Sequence, residues 1–125
     1  MYDNLQNLVD KGEVINRYYN PLNYFDEVHF FLFNQNKVSP LVLKKLTGNA
    51  KIYVNTFSIG FIEKILLLCY LAIFSVNLSK IVSYIKKINP HSIRCYNLNY
   101  QIFIAEFVRK KLNIPYILSL HYDLY

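Results

Sequence analysis

The run Val-His-Phe-Phe-Leu-Phe at Val28 to Phe33 constrains the fold more than any other segment. Its apolar residues are nearly continuous, whereas a strand with one solvent face alternates apolar and polar residues. The run therefore indicates a strand that is covered on both faces, as in a parallel sheet. Three further β-prone segments predict the other strands: Lys51 to Phe57, Ser92 to Tyr96, and Tyr116 to His121, which Pro115 opens.

Helical patterns separate these segments. Ser39 and Pro40 supply a cap and a first-turn proline for a short helix that ends at Gly48. The stretch Ile59 to Ile88 is also helical but too long for one typical helix, so we expect a break near Ser75 to Asn77. The remaining helices are predicted over residues 3 to 10 and over Tyr100 to Leu112.

Alternating helices and strands predict an α/β fold, with an open parallel sheet and flanking helices in one domain over residues 1–125. Such sheets bind their ligands beyond the carboxyl ends of the strands. The segments at these predicted ends are Asn34 and Gln35, Ser58 to Gly60, Asn97 to Gln101, and His121 to Asp123. A binding site is expected among them.

The charge of the chain favours an anionic partner. There are 14 Lys and Arg against 8 Asp and Glu, a net charge of +6, which attracts a nucleotide, a nucleic acid or a lipid surface alike. The most apolar segment, Ile65 to Val76, has about twelve residues, and a helix needs roughly 20 to cross a bilayer. We expect a core helix there, with a helix that packs in a partner or an interfacial membrane helix as the alternatives.

Several classes of chemistry lack their sequence signals. The three glycines form neither a dinucleotide fingerprint nor a P-loop, so no cofactor is predicted. His29, His91 and His121 have no metal-site spacing, and Cys69 and Cys95 indicate neither a metal nor a disulfide framework. No metal is predicted. The first ten residues lack the apolar region of a secretory signal, so we expect a cytoplasmic protein, with peripheral contact at the inner membrane face left open.

Two segments carry a resemblance to a known family. KGEVINRYYNPLNYFDEVHFF at Lys11 to Phe31 joins a Lys-Gly-Glu segment through an Arg-Tyr-x-Asn-Pro loop to Phe-Asp-Glu-Val and a strand. INPHSIRCYNLNYQIFIAEFVRKKLNIPYILSLHYD at Ile88 to Asp123 joins two strands through a helix that ends in Lys-Lys-Leu, and its Ser-Leu-His-x-Asp ending is the most specific element. Together with their spacing, these segments resemble the N-terminal domain of family-4-like GT-B glycosyltransferases.

The resemblance implies an incomplete Rossmann-like, acceptor-side N-terminal domain of the GT-B fold over residues 1–125. In the family, a retaining, metal-independent enzyme transfers a sugar from a nucleotide-activated donor, and a second domain binds that donor. Counterparts of this second domain and of the family's opening strand and glycine loop are not found in the chain, so we expect a fragment that is inactive alone. Leu98, Asn99 and Tyr100 also replace small residues of the family, and Tyr122 stands where glycine is common.

By resemblance, His121 is the candidate catalytic residue, which would contact the transferred sugar or orient the acceptor. Its imidazole can both donate and accept a hydrogen bond, although a structural hydrogen bond is the alternative. Asp123 would orient His121 or a hydroxyl, or else is an exposed loop carboxylate.

The other candidate substrate-binding residues lie before the first strand and after the third. Asn97 and Gln101 offer amides near a helix N-terminus, where they would bind sugar hydroxyls or act only as caps. Arg17, Tyr19 and Asn20 would line the acceptor side, with Arg17 gripping a carboxylate or phosphate. The alternative is a loop that Tyr18 and Tyr19 anchor on the core.

Two other functions remain open at this stage. The chain could be a non-catalytic α/β binding module whose basic helices contact a partner chain, such as a separate C-terminal domain, or a membrane surface. Nucleic-acid binding through the positive charge and the aromatic residues is a less favoured reading. The nucleotide-sugar donor is implied by resemblance alone, and the acceptor is not identified.

Overall fold

The computed structural model describes residues 9–12, 15–33, 38–62, 65, 76–96 and 100–119. The chain divides into two compact units, Met1–Ser58 and Ile59–Tyr125. The first unit contains β1 (Glu27–Leu32), α1 (Pro40–Thr47) and β2 (Lys51–Thr56), preceded by a 3-10 turn at Pro21–Asn23. The second contains α2 (Val76–Ile88), β3 (Ile93–Tyr96), α3 (Tyr100–Leu112) and β4 (Tyr116–Ser119).

In the first unit, β1 and β2 pair in parallel from Glu27↔Lys51 to Leu32↔Thr56. Helix α1 connects them and begins after Ser39, whose extended backbone precedes Pro40 at the first helical position. It ends at Gly48, where φ is +63°. Both predicted strands and the helix between them are confirmed, with strand limits that shift by one residue.

The continuous apolar run of β1 predicts a strand that is covered on both faces, and β2, which has no such run, is open to water on both faces. Tyr53 and Val54 are neighbours in the strand and so project from opposite faces, yet they are 39% and 46% exposed. In β1, residues 28–32 are all half-buried. The continuous apolar run thus identified β1 correctly, while β2 lies in a sheet of only two strands and keeps contact with water on both sides.

In the second unit, β3 and β4 also pair in parallel, from Ile93↔Tyr116 to Tyr96↔Ser119. Helix α3 connects them and has the predicted limits. Apart from Ile59, the buried apolar side chains described in this unit come from α2, β3, α3 and the segment before β4: Leu78, Ile81, Ile85, Cys95, Ile104, Ala105, Val108 and Ile114. These apolar positions recur at helical spacing in α2 and α3, which explains why both helices bury one face.

The protein is therefore an α/β fold with short parallel sheets. The described strands form two two-stranded sheets, and a continuous four-stranded sheet is not observed among them. Helix α2 is described over Val76–Ile88, and because residues 66–75 lie outside the described residues, the break near Ser75 to Asn77 stays a prediction. Across the described residues, no helix has both the length and the apolar character needed to cross a bilayer.

Candidate functional site

The segment Arg17 to Asn20 closes the C-terminal end of α1. The last four carbonyl groups of an α-helix have no partner within the helix. In α1 each of them accepts a hydrogen bond, and three of the donors belong to this segment. The donors are Gly48 N to Lys44 O (2.9 Å), Arg17 N to Lys45 O (2.9 Å), Tyr19 N to Leu46 O (3.1 Å) and Asn20 Nδ2 to Thr47 O (3.0 Å).

Asn20 is the central residue of this closure. Its side chain is fully buried, and its Nδ2 also donates to the carbonyl of Phe25 at 2.9 Å, while Phe25 N donates to its Oδ1 at 2.8 Å. An amide nitrogen has two hydrogens, and both are used by main-chain carbonyls. Asn20, a predicted substrate-binding residue, therefore has no donor left for a ligand and holds the loop in place.

Arg17 and Tyr19 flank this anchor in different environments. Arg17 is exposed and has a φ of +59°, while its main chain is fixed on α1. Tyr19 is half-buried and meets Tyr18 and Phe30 edge-to-face, with ring centroids 5.1 and 5.2 Å apart. The sequence alternative of a loop anchored by tyrosines thus describes Tyr19, whereas Arg17 keeps a solvent-facing position from which a guanidinium can reach an anion.

Asn23 and Gly48 complete the loop, and Asn23 was not singled out in the sequence. The Oδ1 of Asn23 accepts a hydrogen bond from Asn49 N at 3.1 Å. The same oxygen occupies the space where a Cβ at residue 48 would lie. Glycine is therefore required there both by the positive φ and by this close approach. Gly48 signalled the end of a helix in the sequence, but nothing in the sequence linked it to Asn23.

In the second unit, the parallel register brings the carboxyl ends of β3 and β4 together. Tyr96 pairs with Ser119 as the last pair of the ladder, and Arg94 Nε donates to Ser119 Oγ at 2.8 Å across the strands. The chain thus leaves both strands at one edge of this sheet. Arg94 adds a cation near that edge, and the sequence had not singled it out.

Gln101 lies in the first turn of α3 and is half-buried. Its main-chain carbonyl is 3.9 Å from the Sγ of Cys95, which points from β3 toward the helix. Burial raises the pKa of the Cys95 thiol to about 11, because a thiolate is poorly solvated in an apolar interior. Cys95 is therefore an inert core residue, and its contact fixes the start of α3 against β3.

The remaining predicted site residues, Asn97, His121 and Asp123, lie outside the described residues. Arg17, Tyr19 and Asn20 belong to the first unit, and Gln101 belongs to the second. Their grouping into one site stays a prediction. No cluster of His, Cys, Asp or Glu suited to a metal ion occurs in the part of the chain that the structure describes.

A group of three polar side chains on β1 and β2 was also not predicted from the sequence. The rings of His29 and Tyr53 stack with centroids 4.4 Å apart. The carboxylate of Glu27 contacts both side chains, with its Oε2 3.4 Å from His29 Nε2 and its Oε1 accepting a hydrogen bond from Tyr53 Oη at 3.5 Å. Residues 27 and 29 share a face of β1, and the pairing of His29 with Tyr53 brings the third member alongside. The group depends on the strand register, which the sequence alone does not provide.

Comparisons with protein-family models, curated proteins and solved structures found no match for the chain. The fold class thus rests on the observed strands and helices, and a function has to be argued from the residues themselves.

Proposed function

We propose that these 125 residues form part of the acceptor-side N-terminal domain of a GT-B glycosyltransferase similar to the family-4 enzymes. The complete enzyme would transfer a sugar, with retention, from a nucleotide-activated donor to an acceptor. Donor binding would belong to a second domain, so these residues alone would lack activity. The sequence resemblance over Lys11 to Phe31 and Ile88 to Asp123 is the origin of the proposal.

The observation that best supports it is the parallel β3–α3–β4 arrangement. Ligands of parallel α/β sheets bind beyond the carboxyl ends of the strands, and β3 and β4 end as partners at Tyr96 and Ser119. Asn97 and Gln101 follow the first of these ends in the sequence, while His121 and Asp123 follow the second. An antiparallel pair would have separated these two groups of residues.

The proposed roles follow from the chemistry of each side chain. His121 would hydrogen-bond a hydroxyl of the transferred sugar or of the acceptor, and Asp123 would orient its ring. The amides of Asn97 and Gln101 would bind further hydroxyls. Arg17 would attract an anionic group of the acceptor, with Tyr19 beside it. Asn20 would position this loop through its hydrogen bonds to main-chain carbonyls. Stabilisation of the departing diphosphate would require the second domain.

The test begins with the DNA on both flanks of this reading frame. A frame that encodes a donor-binding domain would be coexpressed with the chain, and release of nucleoside diphosphate from nucleotide sugars would be measured. We expect His121→Ala to abolish this release. His91→Ala, which changes an exposed histidine before β3, should retain it. Equal activities for both variants, or flanks without such a domain, would contradict the proposal.

A second candidate function is supported by the distribution of charge. Residues 59–125 contain eight Lys and Arg and three Asp and Glu, a net charge of +5, whereas residues 1–58 contain six and five, a net charge of +1. Nearly all of the excess charge thus lies in the second unit. A binding module that meets an anionic surface through this unit accounts for the asymmetry without any catalysis.

A further inference from the structure

Helices α2 and α3 end at the same edge of the β3–β4 sheet. Four residues separate the end of α2 at Ile88 from the start of β3 at Ile93. Three residues separate the end of α3 at Leu112 from the start of β4 at Tyr116. The two strands begin side by side because Ile93 pairs with Tyr116. A further hydrogen bond joins the starts of the two strands, because Ile93 N donates to the carbonyl of Pro115, just before β4, at 3.0 Å.

Five basic residues lie in the last turns of these two helices. This group, called the basic edge below, contains Lys86, Lys87, Arg109, Lys110 and Lys111. All five are exposed. The only acidic residue in either helix is Glu106, whose carboxylate contacts Arg109 at 2.7 Å and Lys110 at 3.6 Å. The basic edge therefore has a large surplus of positive charge.

Compensation of the helix dipoles accounts for only part of this surplus. The C-terminal end of a helix is equivalent to roughly half a negative charge, so two ends and one carboxylate offset about two of the five cations. About three positive charges remain at one edge of a small unit. Their long side chains extend into water, where they raise the local concentration of an anionic partner.

Exposed apolar side chains in the same unit indicate which kind of anionic partner fits. Phe61 and Ile62 are helical and 78% and 72% exposed, and the helical residue Ile65 is 44% exposed. These three exposed side chains, near the start of the second unit, are called the apolar face below. Exposed apolar side chains combined with a basic cluster are typical of proteins that bind at a membrane surface, whereas a nucleic-acid backbone offers nothing to apolar side chains.

We propose that the second unit binds the surface of membranes that contain anionic lipid, through the basic edge and the apolar face at Phe61, Ile62 and Ile65. The lipid phosphates attract the five cations, and the apolar side chains enter the interfacial layer. This proposal rests on the second candidate function and specifies the anionic surface as a lipid membrane, but it does not depend on sugar transfer. The vesicle test and the test of sugar transfer can therefore fail separately.

The test measures cosedimentation of the full chain with vesicles of phosphatidylcholine alone and of phosphatidylcholine mixed with phosphatidylglycerol. We expect binding only to the mixed vesicles, and weaker binding as salt is added. Lys86→Gln/Lys87→Gln should weaken it by about tenfold or more, given the usual contribution of a basic residue near an anionic membrane. Lys44→Gln/Lys45→Gln is the matched control, because it removes the same charge from two exposed lysines in the last turn of α1, in the first unit.

A second pair of variants tests the apolar face. Phe61→Ser/Ile62→Ser should remove the binding that persists at high salt, whereas Ile15→Ser/Leu41→Ser, at exposed positions of the first unit, should leave it unchanged. Equal losses for the two lysine pairs would overturn the proposal, since they would indicate a response to total charge. Absence of binding to the mixed vesicles would also overturn it, and binding to a single-stranded RNA oligonucleotide would then favour a nucleic-acid partner.

Discussion

The side chain of Asn20 donates a hydrogen bond to the main-chain carbonyl of Thr47 at 3.0 Å, and both residues are 0% exposed. The bond joins the loop before β1 to the last residue of α1, across 27 positions of the chain. Thr47 is itself held in the helix, since its Oγ1 donates to Leu43 O at 2.9 Å. Helix α1 has only eight residues, too few for an isolated helix to be stable in water. Its C-terminal end therefore depends on this loop.

Replacement of Asn20 tests that dependence. Asn20→Ala leaves the Thr47 carbonyl and both main-chain groups of Phe25 without their side-chain partner. Unsatisfied buried groups cost about 1–3 kcal/mol each, so we expect a loss of about 3 kcal/mol in the free energy of unfolding, measured by urea denaturation. Asn16→Ala, at an exposed turn position, should change it by less than about 0.5 kcal/mol. Similar losses for the two variants would refute a special role of Asn20.

The glycine that follows α1 provides a second test of the same loop. Gly48→Ala places a methyl group against Asn23 Oδ1 at a positive φ, and we expect it to destabilise the chain by about 1–3 kcal/mol. Gly12→Ala is the matched control, because Gly12 also has a positive φ of +74° but open space around its Cβ position. Gly12→Ala should therefore have the smaller effect in thermal unfolding. A reversed order would show that Asn23 gives way without cost.

The buried thiol of Cys95 predicts a dependence of stability on pH. Its pKa is about 11 in the folded chain, against 9.0 for a free thiol. Because the folded pKa is the higher one, the contribution of this thiol is complete below pH 9 and is lost as the pH rises through 11. The loss should approach about 3 kcal/mol, from two pKa units at 1.36 kcal/mol each.

The measurement compares the original chain with Cys95→Ala between pH 8 and pH 11, so that the titration of other groups cancels. The alanine variant is less stable at pH 8 because of the cavity it creates. Its deficit should shrink as the pH rises. A constant deficit across this range would mean that the thiol ionises as easily in the folded chain as in the unfolded one.

Local patterns predicted the individual elements of the fold well. Helix α3 has the predicted limits because Ile104 and Val108 mark its buried face and Asn113 adopts a φ of +55° just beyond its end. These are signals that the sequence contains within a few turns. The parallel direction of both strand pairs followed in the same way from the helices between the strands.

Long-range relationships could not be predicted in this way. Asn20 was a candidate substrate-binding residue through the family resemblance and its place beside Arg17 and Tyr19, and only the position of α1 shows that its amide is used internally. The arrangement in two sheets was also hidden, since a β-prone segment does not specify its partner. For Asn97, His121 and Asp123, which the structure does not describe, the sequence remains the whole basis of the assignment.

The carboxylate of Glu106 provides the last prediction. Hydrogen bonds from Arg109, at 2.7 Å to both oxygens, lower the pKa of Glu106, and the charge of Lys110 adds to the effect. We expect carbon-detected NMR titration to give Glu106 a pKa below the ordinary glutamate value of 4.5, and Arg109→Gln to raise it, whereas Arg94→Gln, a matched change in β3, should leave it unchanged. Because the folded pKa is the lower one, the contribution of the pair to stability is present above the ordinary glutamate range and is lost as the pH falls through the folded value. An unchanged pKa in Arg109→Gln would mean that Glu106 is not held by this bidentate contact in solution.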